Sequence, residues 1–243
     1  MTSRYILATS GGFIATDRYG VMKPAANMLK ALELSGKDRP RVLFIHTASG
    51  DDAAYLARSY QAMSSYSCDV EHLALFTQPT GPVEEVVGRA DVIWVGGGSV
   101  ANLLALWKLH GVDEALREAY HRGAVLGGVS AGSICWHLGG PTDSFGPKLE
   151  VVTNGMGLLP YGNGVHYDSE EQRRPLLHKI VGDGTLPLSF ATDDRVGLLY
   201  RDEVPVEVIC DKEADPSTGP AAYKVEKVGS DVVETRLNVG LIN

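Results

Sequence analysis

Through the first two thirds of the chain, short unbroken apolar runs alternate with longer stretches in which apolar residues recur every three or four positions. Tyr5-Ile6-Leu7-Ala8, Arg41 to Ile45, Val70 to Leu75, Asp91-Val92-Ile93-Trp94-Val95 and Ala124-Val125-Leu126 read as strands. The unbroken apolar character of Asp91 to Val95 marks a strand buried on both faces. The spacing predicts helices near Ala25 to Leu32, ended by Gly36, and from Asp51 to Met63 with Asp51 or Asp52 as cap. Further helices are expected near Pro82 to Arg89, where Pro82 suits a first turn, and after Gly96-Gly97-Gly98, carrying Leu103, Leu104, Leu106 and Trp107. Strands alternating with helices in this way predict an α/β fold: a mostly parallel sheet covered by helices on both faces, with right-handed crossovers.

Beyond about residue 145 the texture changes. Phe145 to Asp168 is rich in Gly and Pro and reads as loops between short strands. Leu186 to Phe190, Val196 to Tyr200, Val204 to Cys210 and Tyr223 to Val228 read as strands, the last two antiparallel. They are expected to extend the same sheet. No linker interrupts residues 1–243, so a single domain is expected.

Composition narrows the partners. Apolar residues make up 44% of the 243, enough for a sizeable core, and the formal net charge of −8 argues against duplex DNA or an anionic membrane surface. No apolar run approaches the roughly 18 residues of a membrane-spanning helix. Met1 to Leu7 lacks the pattern of a signal peptide. Cys68, Cys135 and Cys210 are widely spaced and odd in number, which predicts free thiols and a reducing, cytoplasmic setting.

Gly128-Val129-Ser130-Ala131-Gly132 follows the Ala124–Leu126 strand, and Ser133 to His137 leaves it with helical spacing. A serine between small residues on a strand-to-helix turn is lifted above the end of the sheet, the placement a nucleophile needs. The bland alternative is a glycine-rich turn that only packs or holds a phosphate. Gly96-Gly97-Gly98-Ser99 lacks the G-x-G-x-x-G spacing of a dinucleotide loop. Conditional on Ser130, it reads as an oxyanion loop in which Gly97 or Gly98 supplies one N–H beside that of Ala131.

A nucleophilic serine needs a base, and seven histidines are present. His46 ends a strand and could face the same edge; His110 and His121 close helices; His72, His137 and His178 sit within regular elements. His166 lies in the glycine-flexible segment Gly162-Asn163-Gly164-Val165-His166-Tyr167-Asp168, the kind of loop that carries chemistry. For the acid that orients the base, spacing leaves the Asp193-Asp194 turn and Asp168 both open.

At this point the chain resembles the peptidase E and cyanophycinase family of serine peptidases, of the flavodoxin-like or class I glutamine-amidotransferase-like architecture. Val95-Gly96-Gly97-Gly98 with its leucine-rich helix, the Ser130 elbow, and Leu158-Leu159-Pro160 through His166-Tyr167 carry the resemblance in order, with a weaker match at Asp193-Asp194. The resemblance implies Ser130 as nucleophile, His166 as base and Asp194 as acid, with Asp193 the adjacent-register alternative. It also implies antiparallel C-terminal strands, no metal or organic cofactor, and short peptides as substrates, and it leaves a homodimer open. The order Ser…His…acid sets the chain apart from the Ser…acid…His order of α/β-hydrolases. Aspartyl dipeptidases of the family carry an arginine after the histidine. Glu170 or Glu171 falls there, and Arg173 and Arg174 follow as candidates to bind a substrate carboxylate. Two other classes remain in view: an amidase or acyl transferase of the amidotransferase-like kind, and an inert small-ligand binding protein.

Overall fold

The computed structural model describes residues 3–213, 215 and 217–242; Met1 and Thr2, the start of the segment read for a leader, lie outside them. The chain begins with β1 (Tyr5–Thr9) and a hairpin of β2 (Phe13–Ala15) and β3 (Met22–Pro24). There follow α1 (Ala26–Leu34), β4 (Arg41–Ile45), a 3-10 turn at Thr47–Ser49, α2 (Ala53–Met63), β5 (Asp69–Leu73), α3 (Val83–Gly88) and β6 (Val92–Val95). Next come α4 (Val100–His110), α5 (Val112–Arg122), β7 (Val125–Val129), α6 (Ala131–Ile134), β8 (Gly140–Thr142), β9 (Glu150–Val152), β10 (Gly162–Gly164) and α7 (Arg173–Gly182). The chain closes with β11 (Ser189–Thr192), β12 (Val196–Arg201), β13 (Val204–Cys210), β14 (Ala222–Val228), β15 (Asp231–Leu237) and β16 (Gly240–Leu241).

Eight strands form the main sheet in the order β16-β13-β12-β1-β7-β6-β4-β5. β1, β7, β6, β4 and β5 are parallel, while β12, β13 and β16 add an antiparallel flank. Successive side chains of each strand point to opposite faces, and both faces are covered. Ile6, Leu43, Ile45, Ile93, Val95 and Leu126 meet helices α3 to α6 through Val87, Leu103, Trp107, Leu116 and Ile134. Leu7, Val42, Phe44, Trp94 and Val125 meet α1 and α2 through Met28, Ala31 and Met63. Each such side chain, fully withdrawn from water, contributes about 1.5–3 kcal/mol.

Two expectations need correction, and one strand is new. The late strands do not all extend the main sheet: β10, β11, β14 and β15 form a second, four-stranded sheet with its own apolar cluster around Leu177, Ile180 and Val225. The helix after Ser130 is a single turn. It ends at Ile134 because the chain must turn into Gly139 and Gly140, where added Cβ atoms would meet the Val152 and Asn163 carbonyl oxygens at 1.9 and 2.0 Å. β15 was not foreseen; its residues are only half buried along one face, a weak alternation.

Two interior histidines tie stability to pH. His46 (4% exposed) meets Ser59 Oγ through Nε2 at 3.0 Å; His137 (fully buried) donates from Nδ1 to the Ser133 carbonyl at 2.9 Å and faces the Tyr200 hydroxyl through Nε2. Burial pushes each down to about 4. A lowered histidine pKa means the unfolded chain binds protons that the folded chain refuses between the ordinary value and 4. Stability is therefore full above about pH 6.5 and falls as pH drops through that window, by on the order of 3 kcal/mol per histidine if each titrates independently. Thermal melts between pH 7 and 4 should show this, and His137→Gln, which cannot take up a proton, should flatten the decline. An unchanged slope in that variant would remove His137 from the account.

Candidate active site

The site grows from the ends of three neighbouring parallel strands. β6 pairs β7 with Val95 opposite Gly128, and β7 pairs β1 with Val129 opposite Thr9. One or two residues further on, Gly97, Ser130 and Ser10 stand in a row at the carboxyl edge of the sheet, where open α/β sheets place their ligands.

Ser130 sits on the sharp turn the sequence predicts, with φ 58° and ψ −113°. A non-glycine residue held there stores on the order of 1–3 kcal/mol of strain. The residues two positions to either side must lack side chains because the backbone doubles back. A Cβ on Gly128 would lie 2.5 Å from the Gly132 carbonyl oxygen, and one on Gly132 would lie 2.2 Å from that of Val95. The Ser130 N–H is tied to the Thr9 carbonyl at 3.0 Å, and its own carbonyl accepts from Ser133 and Ile134. The hydroxyl makes no hydrogen bond among the described residues.

Gly97 lies directly beside that hydroxyl: a Cβ there would stand 3.2 Å from Ser130 Cβ and 3.8 Å from Oγ. Gly98 has φ 134°, and a Cβ on it would strike the Ala48 carbonyl oxygen at 2.2 Å. The loop is pinned from behind by Ser99 N–H on that same carbonyl at 2.8 Å, and Tyr55, stacked on His46 at 4.1 Å, presents its phenol to the Gly97 N–H. Burial raises the Tyr55 phenol, partly opposed by that N–H. Gly98 and Ala131 keep N–H groups without an acceptor among the described residues, Ala131 because it opens α6.

His166 and the acidic turn come from the second sheet. β10 and β11 are parallel, with Gly164 opposite Ala191, so the segments leaving them run side by side. His166 follows β10 with φ 52°. Its Nδ1 lies 2.5 Å from Asp194 Oδ1, and Nε2 has no partner among the described residues. Ser130 Oγ and His166 Nε2 share no hydrogen bond here. Both segments are tied to the end of β1: the Ser130 N–H hangs from the Thr9 carbonyl, and the His166 N–H hangs from the hydroxyl of Ser10 at 3.0 Å. Consecutive Cα atoms are 3.8 Å apart, which keeps the two anchor points adjacent.

The neighbouring carboxylates have other tasks. Asp193, 3% exposed, turns inward and accepts from the Ala221 N–H at 2.9 Å and the Tyr223 hydroxyl at 3.2 Å. It therefore does not meet the histidine, and burial raises its carboxyl. Asp168 accepts the Asp194 N–H at 2.8 Å, fixing the acidic turn rather than the ring. The two arginines differ: Arg173 is sealed off, whereas the Arg174 side chain is 41% exposed. The Arg173 guanidinium is 2% exposed and engaged by Glu170 and the Pro141 carbonyl, so no substrate reaches it. Arg174 pairs with Glu234 at 2.5 Å and is sandwiched between Tyr167 and Tyr223, 4.4 and 4.6 Å from the ring centres. Sequence reasoning passed over Ser10 and Thr192; only the pairing of strands from opposite ends of the chain brings them here.

Among the described residues no group of three or more His, Cys, Asp or Glu converges as a metal site, and no helix is long and apolar enough to cross a membrane.

Comparison with known proteins identifies the family and the fold. The uncharacterized peptidase YgaJ of Bacillus subtilis (strain 168) is 37% identical over 208 residues, spanning 86% of this chain and 87% of its own. Peptidase E of Shewanella denitrificans is 26% identical over 166 residues, 67% of this chain and 69% of its own. The crystal structure of a peptidase from an acI-B1 actinobacterium superposes with a TM-score of 0.70 at 15% identity, over 98% of this chain and 96% of that one, which establishes the fold. The model of peptidase family S51 matches residues 6–204, and the chain belongs to that family of serine-type peptidases.

Proposed function

We propose that the protein hydrolyses short peptides through an acyl-enzyme on Ser130. The observation that carries this reading is the 2.5 Å contact of His166 Nδ1 with Asp194, which leaves Nε2 unpartnered beside the strand that holds the Ser130 elbow. In this mechanism Ser130 Oγ attacks the peptide carbonyl and gives its proton to His166 Nε2. The N–H groups of Ala131 and of Gly98, or Gly97 once Tyr55 releases it, take the charge of the tetrahedral oxygen. His166 then passes its proton to the leaving amine as the C–N bond breaks. Water, deprotonated by the same nitrogen, cleaves the ester and restores the serine. Asp194 holds the tautomer with the proton on Nδ1 and stabilises the imidazolium. The missing Ser130–His166 hydrogen bond fits a site that tightens on substrate, as free enzymes commonly do.

Residues 1–243 act as one catalytic unit in this reading, since the nucleophile comes from the main sheet and the base and acid from the second. Arg173 is buried, and Arg174, though 41% exposed, is already paired with Glu234, so in this reading neither selects an acidic side chain. A fluorophosphonate probe should add its mass to the peptide containing Ser130. A dipeptide panel should then show N-terminal aspartate cleaved no faster than alanine or leucine. An intact protein left unlabelled by the probe, with every dipeptide uncut, would instead indicate an inert binding protein.

A further inference from the structure

The main-chain N–H of His166 is held by a side chain. Its acceptor is Ser10 Oγ at 3.0 Å, and Ser10, just past β1, is 5% exposed. The same hydroxyl donates to the Thr192 carbonyl at 3.1 Å and lies 2.7 Å from Thr192 Oγ1. With the Ser10 proton on the carbonyl, the Thr192 hydroxyl donates to Ser10 Oγ and the second lone pair receives the His166 N–H, so the hydroxyl is fully used. Ser10 itself is fixed on both sides, its N–H on the Val196 carbonyl at 2.8 Å and its carbonyl under the Arg195 N–H at 2.9 Å. The Thr192 carbonyl also accepts the Tyr167 N–H at 3.2 Å.

We propose that Ser10 is a positioning residue whose hydroxyl sets how far the His166 imidazole stands from Ser130 Oγ. This rests on the acyl-enzyme reading above. Two constraints are needed to aim the ring. Asp194 fixes its rotation through Nδ1. Its translation is fixed through the main chain: the Glu170 N–H holds the His166 carbonyl at 3.1 Å from within the loop, and a reference to the nucleophile must come from outside it. Ser10 supplies it from the residue beside the one that carries Ser130, so nucleophile and base are gauged from one rigid point. Displacing a reacting group by about 1 Å can cost roughly a hundredfold in rate.

The test compares second-order rate constants of fluorophosphonate labelling, and dipeptide kcat and KM, in the full-length wild type, Ser10→Ala, Ser10→Thr, Thr192→Val and Ser130→Ala. Ser10→Ala is expected to label 10- to 100-fold more slowly, to lose kcat by the same factor at nearly unchanged KM, and to melt within a few degrees of wild type. Ser10→Thr, which keeps the hydroxyl, should recover most of the rate. Thr192→Val, which removes only the group bracing that hydroxyl, should lose roughly 3- to 10-fold, and it reads the same device should Ser10→Ala fail to fold. A folded Ser10→Ala or Thr192→Val at the wild-type rate, or a Ser10→Thr as slow as Ser10→Ala, overturns the proposal while Ser130→Ala stays unlabelled and the acyl-enzyme reading stands. A wild type that labels at no serine overturns both.

Discussion

Replacing Ser130 with alanine is expected to lower kcat/KM on any dipeptide the wild type cleaves by roughly five orders of magnitude, while the melting temperature stays within about 2 °C. The two halves have separate causes. The fold uses only the main chain of this residue: its N–H on Thr9 and its carbonyl under Ser133 and Ile134. An alanine keeps all three bonds and tolerates the left-handed backbone no worse than serine. The chemistry uses only the hydroxyl, and no neighbour can replace it. Ser133 is fully buried and donates to Asn163 Oδ1 at 3.0 Å, and the Ser10 hydroxyl is occupied by Thr192 and the His166 main chain. What survives is the modest help of bare N–H groups and bound geometry. Steady-state kinetics beside a thermal melt measures both halves; residual turnover near the wild-type rate in folded protein would remove Ser130 from the mechanism.

Asp194→Asn is expected to reduce kcat by roughly four orders of magnitude. An amide at this position can present its N–H₂ to Nδ1, which then accepts and drives the ring proton to Nε2, the nitrogen that must take a proton from Ser130. The imidazolium formed during attack also loses its counter-charge. The exposed carboxylate adds little to stability, so the variant should melt close to wild type. Asp193→Asn makes the informative contrast. Its carboxylate braces Ala221 and Tyr223 without touching the ring, so stability is expected to fall by about 1–2 kcal/mol while kcat changes far less. Kinetics and melts on the two variants separate the roles, and equal kinetic losses would contradict the assignment of the acid to Asp194.

The main sheet was legible because buried parallel strands announce themselves: Val92 to Val95 and Val42 to Ile45 have no polar position to confuse the reading. The Ser130 elbow was legible for a steric reason, since glycine at 128 and 132 is what a chain crossing itself requires. The second sheet was hidden. β10 is Gly-Asn-Gly, three buried residues with almost no side chain, and nothing in that triplet says which strand it joins. The choice between Asp193 and Asp194 was equally invisible, because neighbours on a turn point opposite ways and only the presence of Tyr223 shows which way is inward. The burial of Arg173 was hidden as well: Glu170 stands only three residues before it, but the Pro141 carbonyl that also holds the guanidinium is remote in the chain.

The turn from Asp193 to Arg195 is where the chain leaves the smaller sheet and enters the larger one, between β11 and β12. On the reading developed above, the proton donor and its receiver therefore ride on separate slabs, joined at a seam that the acid itself straddles. Phe190 and Ala222 of the smaller slab share one apolar core with Leu198 and Tyr200 of the larger, so a change in the packing of that seam moves base and nucleophile relative to each other and touches speed and robustness together.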